Sequence, residues 1–171
     1  LVGLDLGVPP LIECPENIIL NNSTGDCGTS VSFPIAAALD PDNDLVSLIQ
    51  TSGLTSGSQF PVGESVIEFT ATDAVGHITV CSFTVTIIDN EPAVAVCQDI
   101  TVELDANGFA VITASQVDGG STDNCGIASI NLSKETFDCS NIGANNITFT
   151  VTDVNGNESM CTAVVTILDV I

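Results

Sequence analysis

The sequence has no arginine, no tryptophan and no tyrosine, and its only basic residues are Lys134 and His77. Against them stand 22 acidic residues, for a formal net charge of −21. Without Lys and Arg to displace counterions, nucleic acid is excluded as a partner. So many carboxylates repel one another unless salt screens them, as in a marine or halophilic setting, or cations neutralise them. Calcium does so more efficiently wherever several oxygens converge. Long apolar runs are also missing. Stretches such as VTII fall far short of the roughly 18 residues of a membrane helix, so this segment has no membrane span. No basic stretch followed by an apolar one opens the chain, which reads as starting after any signal peptide.

Zinc is excluded by the single histidine and the absence of Cys-x-x-Cys spacing. What is present is seven cysteines, which fit an oxidising, extracellular or cell-surface location. A hydrophobic content of 44% rules out a disordered polyanion. Sequons occur at Asn21, Asn22, Asn131, Asn146 and Asn157, as chance allows in a chain rich in Asn and Thr.

One phrase is written twice, ATDAVGHITVC at 71–81 and VTDVNGNESMC at 151–161. It aligns Asp73 with Asp153, Gly76 with Gly156 and Cys81 with Cys161, while ECPENIIL against VCQDITVEL aligns Cys14 with Cys97. The chain therefore reads as two modules, residues 11–89 and a second, divergent copy at 90–171. The joint TIIDNEPAVAVC carries turn signals. Residues 1–10 resemble that joint and read as a linker from a preceding module, so the chain reads as a slice of an array.

Within each copy the hydrophobic period is two, as in EFTATD and ITFTVTD, with Gly, Asn and Asp between the runs. Strands are expected at 16–21, 28–36, 45–51, 58–61, 65–72 and 77–88. In copy two they are expected at 98–104, 109–115, 126–132, 136–139, 146–152 and 158–168, and no helix is expected. The fold class is all-β, with two tandem Ig-like antiparallel β-sandwich modules. Phe33, Phe60, Phe69, Phe83, Phe109, Phe137 and Phe149 read mostly as core, and without Trp or Tyr a sugar-stacking platform is hard to build.

In such a sandwich the first strand runs parallel beside the last. Cys14 then meets Cys81 and Cys97 meets Cys161, each bridge contributing on the order of 4 kcal/mol. Cys125 and Cys139 flank NLSKETF, read as a hairpin that sets them opposite each other as a third bridge. Cys27 is left over, either a buried free thiol or a partner for another chain or module.

CPENI, GDCGTSVSFP and LTSGSQFPVGESVIEFTATDAVGHITVCSFTVTI together resemble the hyalin repeat (HYR) domain. The second copy, with CQDI and FDCSNIG, is a more divergent relative. The resemblance implies an Ig-like extracellular adhesion module without catalytic residues, similar to tandem arrays in large surface adhesins of Bacteroidetes, including those used in gliding motility.

The repeated Thr-Asp phrase ends the penultimate strand and opens a turn at the N-terminal end of its module, beside the loop after the second strand. In copy two this brings Asp118, Asp123, Asp153 and Asn155 toward the joint residues Asp89 and Glu91. In copy one the equivalent set is Asp40, Asp42, Asp44 and Asp73. Hard oxygen ligands from several loops suit calcium, which at the joint would stiffen an array as in cadherin-like chains. The other reading is that Asp and Asn serve their own turns. Thr alternation on one strand face admits ice binding, though β-propensity explains it more simply.

No enzyme is expected. His77 holds the turn position that Asn157 holds in copy two, no second histidine serves a serine nucleophile, and the carboxylates fall in turns rather than a cleft. The chain reads first as a non-catalytic structural or adhesive repeat of a secreted or cell-surface adhesin, forming a stiff extended array with neighbouring modules of the same chain. A module recognising glycans or other protein chains, or a subunit of a self-assembling filament, are the alternatives.

Overall fold

The computed structural model describes residues 7–170, and the chain divides into two compact units between Asp89 and Asn90. Residues 1–6, part of the segment read above as a linker, lie outside the described residues. The first unit contains β1 (Leu11–Glu13), β2 (Ile18–Asn21), β3 (Gly28–Ser30), β4 (Ala37–Leu39), β5 (Leu45–Ser52), β6 (Gln59–Pro61), β7 (Gly63–Asp73) and β8 (Ile78–Ile88). Its main sheet has the order β2-β8-β7-β5, accompanied by the short ladders β3-β6 and β1-β4.

Period-two patterning decides which side chains enter the core. Along β7, Ile67, Phe69, Ala71 and Asp73 point inward and are buried, and along β8 so are Phe83, Val85 and Ile87. Val31, Phe33 and Phe60 complete the cluster with them. Phe33 meets the Phe83 ring edge-on at 5.1 Å, an arrangement the ring quadrupoles favour. β2, the strand expected first at 16–21, runs parallel to β8, with Ile18 opposite Val85, as expected for it and the last strand. Asn17 Oδ1 extends that ladder by accepting from Thr84 N at 2.9 Å.

The second unit holds β9 (Ile100–Glu103), β10 (Phe109–Val111), α1 (Ala114–Val117), β11 (Ile127–Leu132), β12 (Thr136–Asp138), a 3-10 turn (Cys139–Asn141), β13 (Gly143–Asp153) and β14 (Glu158–Leu168). Its main sheet runs β9-β14-β13-β11 beside the ladder β10-β12, and β9 is parallel to β14. Ile147, Phe149, Val151, Ala163, Val165 and Ile167 pack against Ala110, Ile112, Val117 and Phe137. Six of the seven Phe are buried; Phe109 stands on the outward register of β10 and is 57% exposed.

Three local expectations are corrected. The strand expected over 28–36 stops at Ser30, because its partner β6 begins opposite at Gln59 and the chain before that turns, with Gly57 N donating to Val31 O at 2.7 Å. Phe33 is instead held by Ser56, whose Oγ accepts from Phe33 N and donates to Phe33 O, both at 2.8 Å. The chain then resumes as β4 on a different partner, β1. A helix also forms where none was expected. Thr113 N donates to Gln116 Oε1 at 2.8 Å across α1, which is too short to show a helical period.

The third correction concerns sulfur. Cys14–Cys81 and Cys97–Cys161 are bonded, with Cα–Cα separations of 5.7 and 6.1 Å. Cys139, however, is a free, exposed thiol, while Cys125 and Cys27 are each disulfide-bonded. NLSKETF is not a hairpin within one sheet: β11 pairs with β13 in the main sheet, whereas β12 pairs with β10 in the other. That crossover separates Cys139 from Cys125 and leaves its Sγ 3.8 Å from Gly108 O. Cys27, expected as a free thiol or as a partner for another chain or module, is not a free thiol.

Candidate metal centre

The repeated Thr-Asp phrase places its carboxylate by register. Asp73 is the last inward-facing residue of β7 and Asp153 that of β13, and they are only 3% and 1% exposed. Each therefore closes one end of a sandwich core with a carboxylate, where alternation alone would put an apolar side chain. Burial of a charge at such a place requires compensation.

Much of it comes from the turn. Asp73 Oδ1 accepts from the backbone N–H groups of Val75, Gly76 and His77 at 3.0, 2.7 and 2.8 Å. Its Oδ2 lies 2.7 Å from His77 Nδ1. Asp153 Oδ1 likewise accepts from Asn155 N and Asn157 N at 2.8 and 2.9 Å, and Asn157 Nδ2 donates to its Oδ2 at 2.8 Å. Gly76 and Gly156 sit at φ 100° and 92°, which a side chain would oppose. Burial pushes both carboxyls up, but these hydrogen bonds outweigh it and both titrate below the ordinary value.

The loop between β4 and β5 brings further carboxylates to Asp73. One oxygen each of Asp40, Asp44 and Asp73 lies within 4.8 Å of the others. Leu45 pairs with Asp73 and Ala74 N donates to Asp44 O at 3.0 Å, which ties the end of this loop to the turn. Asp40 is 4% exposed; its Oδ1 accepts from Asp42 N at 2.8 Å, but its buried Oδ2 has no hydrogen-bond donor. Asp44 Oδ1 is buried and donorless too. Burial first, then a side-chain interaction with Asp40 and the charges of Asp40, Asp73 and Asp42, pushes the Asp44 carboxyl above its ordinary range. Asp42 itself is exposed and outside the trio, its Oδ2 accepting from Val8 N at 2.6 Å.

In the second unit Asp123 lies in the loop before β11, with an oxygen within 4.8 Å of one on Asp153. Its Oδ1 accepts from Cys125 N and Gly126 N at 2.8 and 2.7 Å, and its buried Oδ2 has no donor. Ile127 pairs with Asp153 as Leu45 does with Asp73, so Gly126 stands where the first unit has Asp44. Asp118 is spent locally. Its Oδ1 accepts from Ser121 N, Ser121 Oγ and Gly120 N at 2.8, 2.8 and 3.1 Å, and the Ser121 amide first among these holds its carboxyl below the usual range. Asp89 ends the first unit and Glu91 follows the division of the chain. Asn155 contributes its backbone amide to the Asp153 turn.

The carboxylates at these two places stand on short loops and strand ends, and Asp40 Oδ2, Asp44 Oδ1 and Asp123 Oδ2 have no donor. That donor set suits a hard divalent cation, and calcium above magnesium, whose octahedral shell at about 2.1 Å tolerates less variation. The sequence pattern found Asp40, Asp44, Asp73, Asp123 and Asp153. Asp42, also expected there, accepts from Val8 N through Oδ2, and Asp118 accepts from Gly120 and Ser121 within its own turn. His77 occupies the turn position expected for it, and its match to Asn157 is the sequence clue to its ring contact with Asp73.

Comparison with known proteins bears on the first unit most directly. Residues 7–87 match the family model described as the HYR domain. Hyalin of the sea urchin Strongylocentrotus purpuratus is 31% identical over 96% of this chain and 14% of that protein. Hyalin of Lytechinus variegatus is 26% identical over 95% of this chain and 31% of its own length. A Mus musculus protein, sushi, von Willebrand factor type A, EGF and pentraxin domain-containing protein 1, is 32% identical over 50% of this chain and 2% of that one. The chain thus spans well under two thirds of each of these relatives. Among solved structures, human mucin-like protocadherin EC1-2 has a TM-score of 0.44 at 13% identity, covering 94% of this chain and 98% of that one. The N-terminal Ig1-2 module of the Drosophila receptor protein tyrosine phosphatase DLAR has a TM-score of 0.35 at 13% identity, covering 94% and 100%. These structural likenesses are weak.

Proposed function

We propose that this chain, whose first unit is a HYR domain, is a non-catalytic structural and adhesive segment of a secreted or cell-surface protein. The observation that carries this reading is the sulfur staple in each small sandwich: Cys14–Cys81 and Cys97–Cys161 tie the lead-in to β2 or β9 to the last strand, β8 or β14. Disulfides persist in oxidising compartments, and they stabilise domains too small to bury a large core. Among the described residues no helix is long and apolar enough to cross a membrane. In this reading the two units are rigid repeats of a longer, stiff array, and function is mechanical, with no turnover.

Calcium belongs to the same reading. Asp89 and Glu91, the acidic residues of the joint, are proposed to join Asp123 and Asp153 as ligands, so that ion binding restrains the linker. Small-angle scattering and NMR relaxation of the full chain test the proposal. A common tumbling time for residues 11–88 and 100–168 in calcium is the expected result. Independent tumbling with and without calcium would remove the rigid-spacer reading.

A further inference from the structure

We propose that the first unit carries a calcium site complete within itself, formed by Asp40, Asp44 and Asp73 and independent of any ion at the joint. It rests on the preceding reading only in treating turn carboxylates as ligands. Acidic clusters without an ion are common on protein surfaces, but this one is buried and its hydrogen bonding is incomplete. Asp40 is 4% exposed and its Oδ2 has no donor, and Asp44 Oδ1 is in the same condition. Buried polar atoms are nearly always partnered, because removing a carboxylate oxygen from water without a replacement costs several kcal/mol. The imidazole of His77 lies against Asp73, its Nδ1 2.7 Å from Oδ2, and not against the other two.

Three carboxylates with oxygens within 4.8 Å of one another, and two oxygens still unsatisfied, form an arrangement that a divalent ion completes. The second unit shows why the site is particular to the first. Gly126 stands where Asp44 does, so the second unit's own side chains offer only the pair Asp123 and Asp153. The first unit needs no carboxylate from outside the segment 40–73. Its ion would tie the loop at 40–44 to the turn at 73–77, two segments that otherwise meet through Ala74 N and Asp44 O at 3.0 Å.

The test is an NMR titration of the chelator-treated full chain with calcium chloride, read at the amides of 42–44 and 74–77. Saturable shifts are expected, with an affinity of roughly 10⁻⁴–10⁻³ M, the range of extracellular modules. Asp40→Asn and Asp44→Asn should each weaken that affinity about tenfold or more, while Asp42→Asn and Asp123→Asn leave it within about threefold. In chelator, Asp44→Asn should unfold at or above the wild-type temperature, since it relieves repulsion, and in calcium it should lose the ion-dependent rise. No shift at these amides up to about 10 mM calcium, well above that affinity range, would overturn the assignment. So would a loss of stability in Asp44→Asn that is the same with and without calcium. The rigid-spacer reading is judged by tumbling and stands or falls separately.

Discussion

His77 Nδ1 lies 2.7 Å from Asp73 Oδ2, and in the second unit Asn157 Nδ2 donates to the equivalent oxygen of Asp153 at 2.8 Å. Two chemically different residues thus perform one task, giving a buried carboxylate a side-chain partner from the far side of its turn. Because an asparagine already does this in the second unit, His77→Asn should change the thermal midpoint by no more than about 2 °C. His77→Ala leaves Asp73 Oδ2 without that partner and should lower it measurably. Differential scanning calorimetry of both variants at pH 7 separates these outcomes, and equal losses in both would show that the imidazole does more than hydrogen-bond.

Asp153 is the more deeply buried of the two, 1% exposed, and its Oδ1 accepts from two backbone amides. Asp153→Ala removes a charged acceptor and leaves those N–H groups at the end of the core. The expected cost is about 3 kcal/mol. Denaturant unfolding followed at β13 and β14 amides checks it, and a loss below about 1 kcal/mol would mean that water replaces the carboxylate without penalty.

This end of each sandwich was legible in the sequence because strand periodicity is strict. Once Phe69 and Ala71 are assigned inward, Asp73 must follow, and Phe149 and Val151 carry Asp153 the same way. The parallel closing of β2 on β8 followed from the same logic and carried the Cys14–Cys81 bridge with it. Nonlocal choices were not legible. NLSKETF has the length and alternation of a hairpin, and only packing decides that β12 joins β10 and leaves Cys139 unbonded. Nor could the sequence show that Ser121 N donates to Asp118 and Val8 N to Asp42.

The cysteine arrangement gives a count that chemistry can check. Cys139 is the free thiol, and the other six cysteines are disulfide-bonded. Ellman titration of the unreduced protein should give one thiol per chain, in native buffer and in denaturant alike, and none in Cys139→Ser. A reactive thiol that survives this substitution would restore a free Cys27 or Cys125.

The Cys14–Cys81 bridge spans 67 residues of sequence, so breaking it releases a long loop into the unfolded state. Replacing both by alanine should cost about 4 kcal/mol in the chain-entropy account. The loss should appear in denaturant unfolding of the first unit's amides. A cost below about 1 kcal/mol would show that the β2–β8 ladder, Ile18 to Asn21 against Val85 to Ile88, already holds the ends together.

Acid should act on the second unit through a specific set of carboxyls. Asp105 is held below the ordinary value of 3.8 by the Phe109 and Asn107 amides, and Asp138 by the Ser140 hydroxyl and amide. Asp118 is lowered by the Ser121 amide against an opposing contribution from burial. A carboxyl whose folded value is depressed contributes stability that is complete above its unfolded value and disappears as pH falls through the folded one. The unfolding midpoint of the second unit should therefore be level down to about pH 4 and decline below it. The amides of Phe109, Ser121 and Ser140 should report titration midpoints under 3.8, the value each carboxyl would show without these bonds. Midpoints at or above that value would mean that these hydrogen bonds do not favour the ionised form in solution, and the acid sensitivity would then have to come from another source.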